Sequence, residues 1–135
     1  MVLQPTKTKF RKAQRGRLRG KAATGTKLIY GEFGLQAAEC MHLKTNQIES
    51  ARKAIMHYLK RGGKLWIRVL ADKTYTSRPA ETRMGGGKGA PAGYAAAVRP
   101  GHIIFEVAGV SKEDAAVAFR LAQFKLPLKT RIVSV

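Results

Sequence analysis

The chain has 135 residues, the size of one domain, and its 44% apolar content can fill a core, which excludes disorder throughout. Twenty-six Lys and Arg against eight Asp and Glu give a net charge of +18, which repels itself within one small domain unless a polyanion lies beside it. Nucleic acid is the commonest such partner and an anionic membrane surface the rival. No apolar run approaches the roughly 20 residues of a spanning helix, and the basic N-terminus leads into further charge instead of the apolar segment of a signal peptide, so no membrane partner is expected.

In chain order the charge comes first. Residues 1–31 hold nine basic residues and no acid. From Lys7 to Lys21, Lys and Arg alternate with Gly, Gln and Thr, with no helical apolar stripe. Residues 1–25 are therefore expected to form an extended RNA-binding arm, ordered only against something anionic, with Lys7, Lys9, Arg11, Lys12, Arg15, Arg17 and Arg19 as phosphate contacts. Phe10 is either a base-stacking ring or a plain apolar anchor. Residues 26–135 are expected to form the core domain.

Within that domain, "KLIY" (27–30) and "FGL" (33–35) read as short strands. Thr45 or Asn46 then caps a helix, with Asn46 and Glu49 at capping-box spacing. Ile48, Ala51, Ile55 and Leu59 recur at helical intervals as its apolar face, and Gly62-Gly63 ends it. Lys53, His57, Lys60 and Arg61 fall on the opposite side, where Lys53, Lys60 and Arg61 are candidate RNA contacts.

"KLWIRVL" (64–70) alternates as a central strand, and "YAAAV" (94–98) with "HIIFEV" (102–107) read as a β-hairpin turning at Arg99-Pro100-Gly101. Ser111 and Asp114 cap a second helix whose core stripe is Val117, Leu121 and Phe124. "KTRIVSV" closes the chain as a strand. Ile55, Ile67, Phe105 and Leu121 are expected to be buried. Short strands, two helices and a hairpin predict an α+β single domain: an antiparallel or mixed sheet sandwich with two helices.

Between Leu70 and Tyr94, 23 residues lack periodicity, a long Gly-rich loop at 71–93. Its second half, "ETRMGGGKGAPAG", fits no nucleotide cradle: Lys88 is followed by Gly89 instead of Ser or Thr, and Gly85, Gly87 and Gly89 are evenly spaced before a strand. Asp72 and Glu81 are its only carboxylates. No catalytic grouping is visible, so no enzyme is expected. Cys40 stands alone and the three histidines lack ligand spacing, so neither metal nor cofactor is expected. The loop is either a solvent-exposed linker or bare backbone that approaches another backbone while Arg83 and Lys88 meet phosphates.

Six collinear fragments then carry a resemblance: "LQPTKTKFRKAQRGRLRG" (3–20), "QIESARKAI" (47–55), "GGKLWIRV" (62–69), "RPAETRMGGGKG" (78–89), "RPGHIIFEVAGV" (99–110) and "KLPLKT" (125–130). Together they resemble the uL-sixteen family of large-subunit ribosomal proteins, bacterial type. The resemblance implies an α/β-hammerhead-like domain on large-subunit rRNA near the central protuberance, beside neighbouring ribosomal proteins. It places the chain in a ribosome, cytoplasmic or organellar. It also implies that the arm and loop face A-site tRNA, with P-site tRNA a further candidate. Carried over residue by residue, Arg83, Met84, Gly85, Lys88 and Gly89 match the loop motif. Lys9, Phe10, Arg11, Lys12, Gly16, Arg17, Arg19 and Gly20 match the arm. An RNA-binding or chaperone module acting outside the ribosome is the alternative function.

Overall fold

The computed structural model describes residues 4–135, so the first three residues of the expected arm lie outside the described residues. The elements are β1 (Phe33–Ala37), β2 (Met41–Lys44), α1 (Thr45–Tyr58), β3 (Lys64–Ile67), β4 (Lys73–Ser77), β5 (Ala90–Val98), β6 (Ile103–Ala108), α2 (Lys112–Gln123) and β7 (Thr130–Ser134). They form a four-stranded sheet in the order β3-β6-β1-β7 and a three-stranded sheet in the order β2-β5-β4, with antiparallel pairing throughout. The α+β class is as expected.

One continuous core joins both sheets and both helices. Leu35, Val98, Ile104, Phe105 and Val107 meet Ile48, Ala51 and Ile55 of α1 and Ala118, Phe119 and Ala122 of α2. Phe105 and Ile55 are fully buried. On α2 the expected stripe is out of phase, because Val117 and Leu121 are about two-fifths exposed and Phe124 lies largely in solvent. Ala115, Ala118, Phe119 and Ala122 face inward instead. α2 packs against α1, and three alanines on the buried face let the two backbones approach closely.

Three strand readings also change. β3 lies at an edge of its sheet, not its centre, and Ile67 is only half-buried. β5 and β6 are not a hairpin: β5 pairs with β2 and β4, β6 with β1 and β3. The Arg99–Gly101 turn, with Gly101 at a left-handed φ of 94°, hands the chain from one sheet to the other. Residues 73–77 and 90–93, expected in the long loop, pair as β4 and β5, which leaves residues 71–72 and 78–89 irregular. Pro91 is tolerated in β5 because the register slips beside it, between Tyr75 and Thr76.

Both helix starts are capped. Ser111 Oγ accepts from the Asp114 N–H at 3.1 Å, as the sequence predicts. α1 begins one residue before Asn46, and Gln47 Oε1 accepts from the Lys44 N–H at 3.0 Å. Glu49 turns instead to Arg52. α1 ends before the glycine pair: Lys60 and Arg61 take left-handed φ of 49° and 64°, and their N–H groups donate to His57 and Met56 carbonyls.

Residues 27–30 are not a strand either. They wrap a buried carboxylate, that of Glu106 in β6, which is fully inaccessible to solvent. Its Oε2 accepts from the backbone N–H groups of Ile29 (3.2 Å), Tyr30 (2.7 Å) and Gly31 (2.9 Å). Its Oε1 takes the Arg68 guanidinium, which lies 5.1 Å from the Tyr30 ring centre, and Tyr30 stacks on Trp66. A Cβ at residue 31 would sit 2.7 Å from the Val107 carbonyl oxygen, so only glycine lets the chain pass there.

Breaking a buried ion pair by removing one partner typically costs about 3–5 kcal/mol. Glu106→Ala should therefore destabilise the protein by about that much, since it leaves Arg68 and three N–H groups without their acceptor. Urea denaturation checks this. A loss below about 1 kcal/mol would mean that water replaces the carboxylate without cost.

Candidate nucleic-acid interface

The arm has no helix or strand among its described residues, yet it lies on the domain through defined bonds. The Ala13 N–H donates to Thr74 Oγ1 of β4 at 2.9 Å, the Ala22 N–H to the Pro100 carbonyl at 2.9 Å, and the Ile103 N–H to the Gly25 carbonyl at 2.8 Å. Gly16 and Gly20 take left-handed φ of 64° and 74° with open space where a Cβ would stand, so the arm bends there, and the Gly20 carbonyl accepts from the Cys40 thiol at 3.8 Å. Lys7, Lys9, Arg11, Lys12, Arg15, Arg17 and Arg19 are all exposed. So is Phe10, with Lys9 Nζ 5.5 Å from its ring centre.

The arm and the glycine loop meet. Lys12 Nζ donates to the Lys88 carbonyl at 2.9 Å, and Lys88 Nζ donates back to the Ala13 carbonyl. Two ammonium groups thus cross between the segments, each held by the other's backbone. Arg78, absent from the sequence-based candidates, organises the loop: its Nη2 donates to the Gly85 carbonyl at 2.9 Å and to the Gly87 carbonyl at 3.0 Å. Those bonds turn carbonyls inward, while Arg83, Met84 and Gly85 face solvent, Met84 almost completely.

The glycines divide into two kinds. None of Gly85, Gly86 and Gly87 has a left-handed φ, and a Cβ at any of them meets nothing within 4 Å. Nothing inside the chain requires glycine at these three positions. Gly89 and Gly93 differ, since a Cβ would come within 2.6 Å of the Ser77 carbonyl oxygen and 2.7 Å of the Tyr75 hydroxyl, respectively.

On the three-stranded sheet, Leu43, Ala96 and Val98 face the core, so alternation turns His42, Lys44, Lys73, Tyr75 and Ala95 outward. Lys44 Nζ lies 5.1 Å from the Tyr75 ring centre. Burial, Lys73 and Arg15 together hold the His42 imidazole below its ordinary pKa. Lys44 and Lys73 flank the same residue, Ala95, one on each side. That row is invisible until the strand pairing is known, which is why sequence reasoning missed both lysines.

The α1 candidates form a separate patch. Lys53, His57, Lys60 and Arg61 line a shallow depression with Arg52 and Met56. Glu49 neutralises Arg52 through bonds of 2.6 and 2.8 Å, and these hydrogen bonds hold the Glu49 carboxyl below its usual range. No hydrogen bond or ion pair among the described residues links this patch to the arm or loop.

An antiparallel α+β domain with dense cations on an arm, a loop and one sheet face, and a further basic patch on α1, defines a protein shaped for a polyanion. The sequence comparison makes this specific. The model of the ribosomal protein L16p/L10e family matches residues 5–133, and the chain belongs to that family, one of structural constituents of the large subunit and not of enzymes. It is 52% identical over 132 residues to the large ribosomal subunit protein uL16c of Porphyra purpurea, covering 98% of this chain and 95% of that one. With uL16c of Gracilaria tenuistipitata it shares 53% identity over 133 residues, covering 98% of both chains.

Replacing Gly85 and Gly87 together by Ala should leave unfolding stability within about 0.5 kcal/mol of the parent. Gly93→Ala should cost roughly 1–3 kcal/mol, because the Tyr75 ring must move. Thermal and urea unfolding measure both. Equal losses in the two variants would show that the loop tip is packed like the strand.

Proposed function

We propose that the chain is a structural constituent of the large ribosomal subunit that binds large-subunit rRNA near the central protuberance and neighbouring ribosomal proteins. Its arm and loop tip face tRNA at the A site, with the P site as a further contact. The observation that carries this is the Lys12–Lys88 exchange, which makes one continuous cationic surface from two segments 76 residues apart. On it Arg11, Arg15, Arg17, Arg19 and Arg83 present guanidinium forks suited to phosphate oxygens. The exposed tip at Met84–Gly87 offers bare backbone for close approach to RNA. The uL16c relatives support an organellar ribosome as the location. Folded RNA is read here mainly through phosphates, 2′-hydroxyls and shape.

Two measurements test the reading. After a high-salt wash the chain should still sediment with large subunits; its release would favour an RNA chaperone acting outside the ribosome. In rRNA-fragment binding, Arg17→Ala with Arg19→Ala should reduce the slope of log affinity against log salt by about 1.4–1.8, or 0.7–0.9 per lost phosphate contact. An unchanged slope would remove the arm from the interface.

A further inference from the structure

The outer face of the three-stranded sheet is a trough. Its floor is Ala95 of β5, a small residue between Lys44 of β2 and Lys73 of β4. Strand spacing puts the two lysine Cα atoms roughly 10 Å apart, and the Ala95 methyl at the bottom is almost wholly covered by the groups around it. The Tyr75 ring lies over Gly93 at one end and carries Lys44 against its face. Arm residues Ala13, Gln14 and Arg15 form one wall and Lys88 reaches in from the loop, enclosing a cleft of about 360 Å³. His42 also lines it.

Among the described residues no carboxylate lines this cleft. The ion pairs among the described residues engage Arg52, Arg68 and Lys129, so none of the four cleft cations belongs to one. Four like charges around one hollow repel each other, and the arrangement costs free energy until an anion enters. The lysines and the arginine offer several N–H donors, and the only acceptors on the lining side chains are neutral, which suits a phosphate group.

We propose that this trough is a binding site for a single RNA backbone phosphate, gripped by Arg15, Lys44, Lys73 and Lys88 with His42 alongside. The inference rests on the rRNA-binding function proposed above and adds a discrete site on the sheet to it. It assigns a purpose to the arm's seat on Thr74: the bond from Ala13 sets Arg15 over the trough as its fourth side. It also makes the site depend on arm and loop together, since Lys88 is held by the arm's backbone.

A proton should follow the phosphate. In the free protein His42 faces Arg15 from the arm, Lys44 on its own strand, Lys73 and Tyr75 from β4, and Lys88 from the loop, with no acid among them. Burial first, then Lys73 and Arg15, disfavour the imidazolium. A bound phosphate supplies the missing negative charge and raises the His42 pKa. Binding therefore takes up protons: affinity is greatest below the free-protein pKa and falls as pH rises through the pKa of the complex.

The test is a pH titration of the His42 ring signals by NMR in the full chain, in chloride, in inorganic phosphate and with a short RNA hairpin. The RNA should raise the midpoint by about one pH unit, which corresponds to about tenfold tighter binding on the acid side. Lys44→Gln with Lys73→Gln should abolish the RNA-induced rise while arm signals still respond; Lys73→Gln alone serves if the double variant melts early. A constant His42 midpoint with responding arm signals would overturn the trough site and leave the rRNA-binding reading standing. No response anywhere would overturn both. Inorganic phosphate matching the RNA at equal phosphate concentration would replace the RNA site with one for free phosphate.

Discussion

The buried carboxylate of Glu106 is the constraint on which the rest of the architecture depends. A carboxylate without solvent is tolerable only when its lone pairs are filled, and here a guanidinium and three successive backbone N–H groups fill them. The geometry leaves the chain little choice. Residues 29–31 must pass over β6, residue 31 must be glycine, and Arg68 must leave the strand end pointing inward. Tyr30 then lies against the guanidinium, with Trp66 stacked on the tyrosine. The point at which the arm leaves the domain is thereby fixed by a charge in the core.

From that root the arm follows the domain instead of leaving it. Backbone bonds at Gly25 and Ala22 run it past the turn that links the two sheets, and the bond at Ala13 delivers it to the edge of β4. The loop between β4 and β5 meets the arm there through the Lys12 and Lys88 bonds. Electrostatics alone would keep so many cations apart. The contacts that hold them are lysine ammoniums donating to backbone carbonyls, which place charge without cancelling it. The surface is assembled by hydrogen bonding and remains available to an anion.

Much of this was legible in the sequence, and the losses have physical causes. Ser111 with Asp114 marked the start of α2 because a cap is a local device of four residues. The α1 face was legible because Ile48, Ala51 and Ile55 are spaced for one helical stripe. On α2 the larger residues Val117, Leu121 and Phe124 suggested the wrong face, since close helix packing wants the small ones. The β5–β6 pairing failed because adjacency in sequence favours a hairpin, whereas both strands found better partners in separate sheets. In the candidate surface, the density of Arg and Lys announced the arm, and missing periodicity with a run of glycines announced the loop. Arg78, Lys44 and Lys73 carried no such signal: their meaning comes from which carbonyls and which alanine lie opposite.

The Glu106 contacts also set an order of events during synthesis. Their partners are 75–77 residues apart in the chain. At about 5–20 residues per second, roughly 4–15 seconds separate the emergence of Tyr30 from that of the acid it needs. Throughout that interval the nascent arm is a polycation with no seat, free to engage whatever polyanion is nearest. Closure of so long a loop is slow and depends on the second half of the chain, so the arm is made well before Glu106 and placed only after it. A protein built this way stands open as a polycation before it has finished meeting itself.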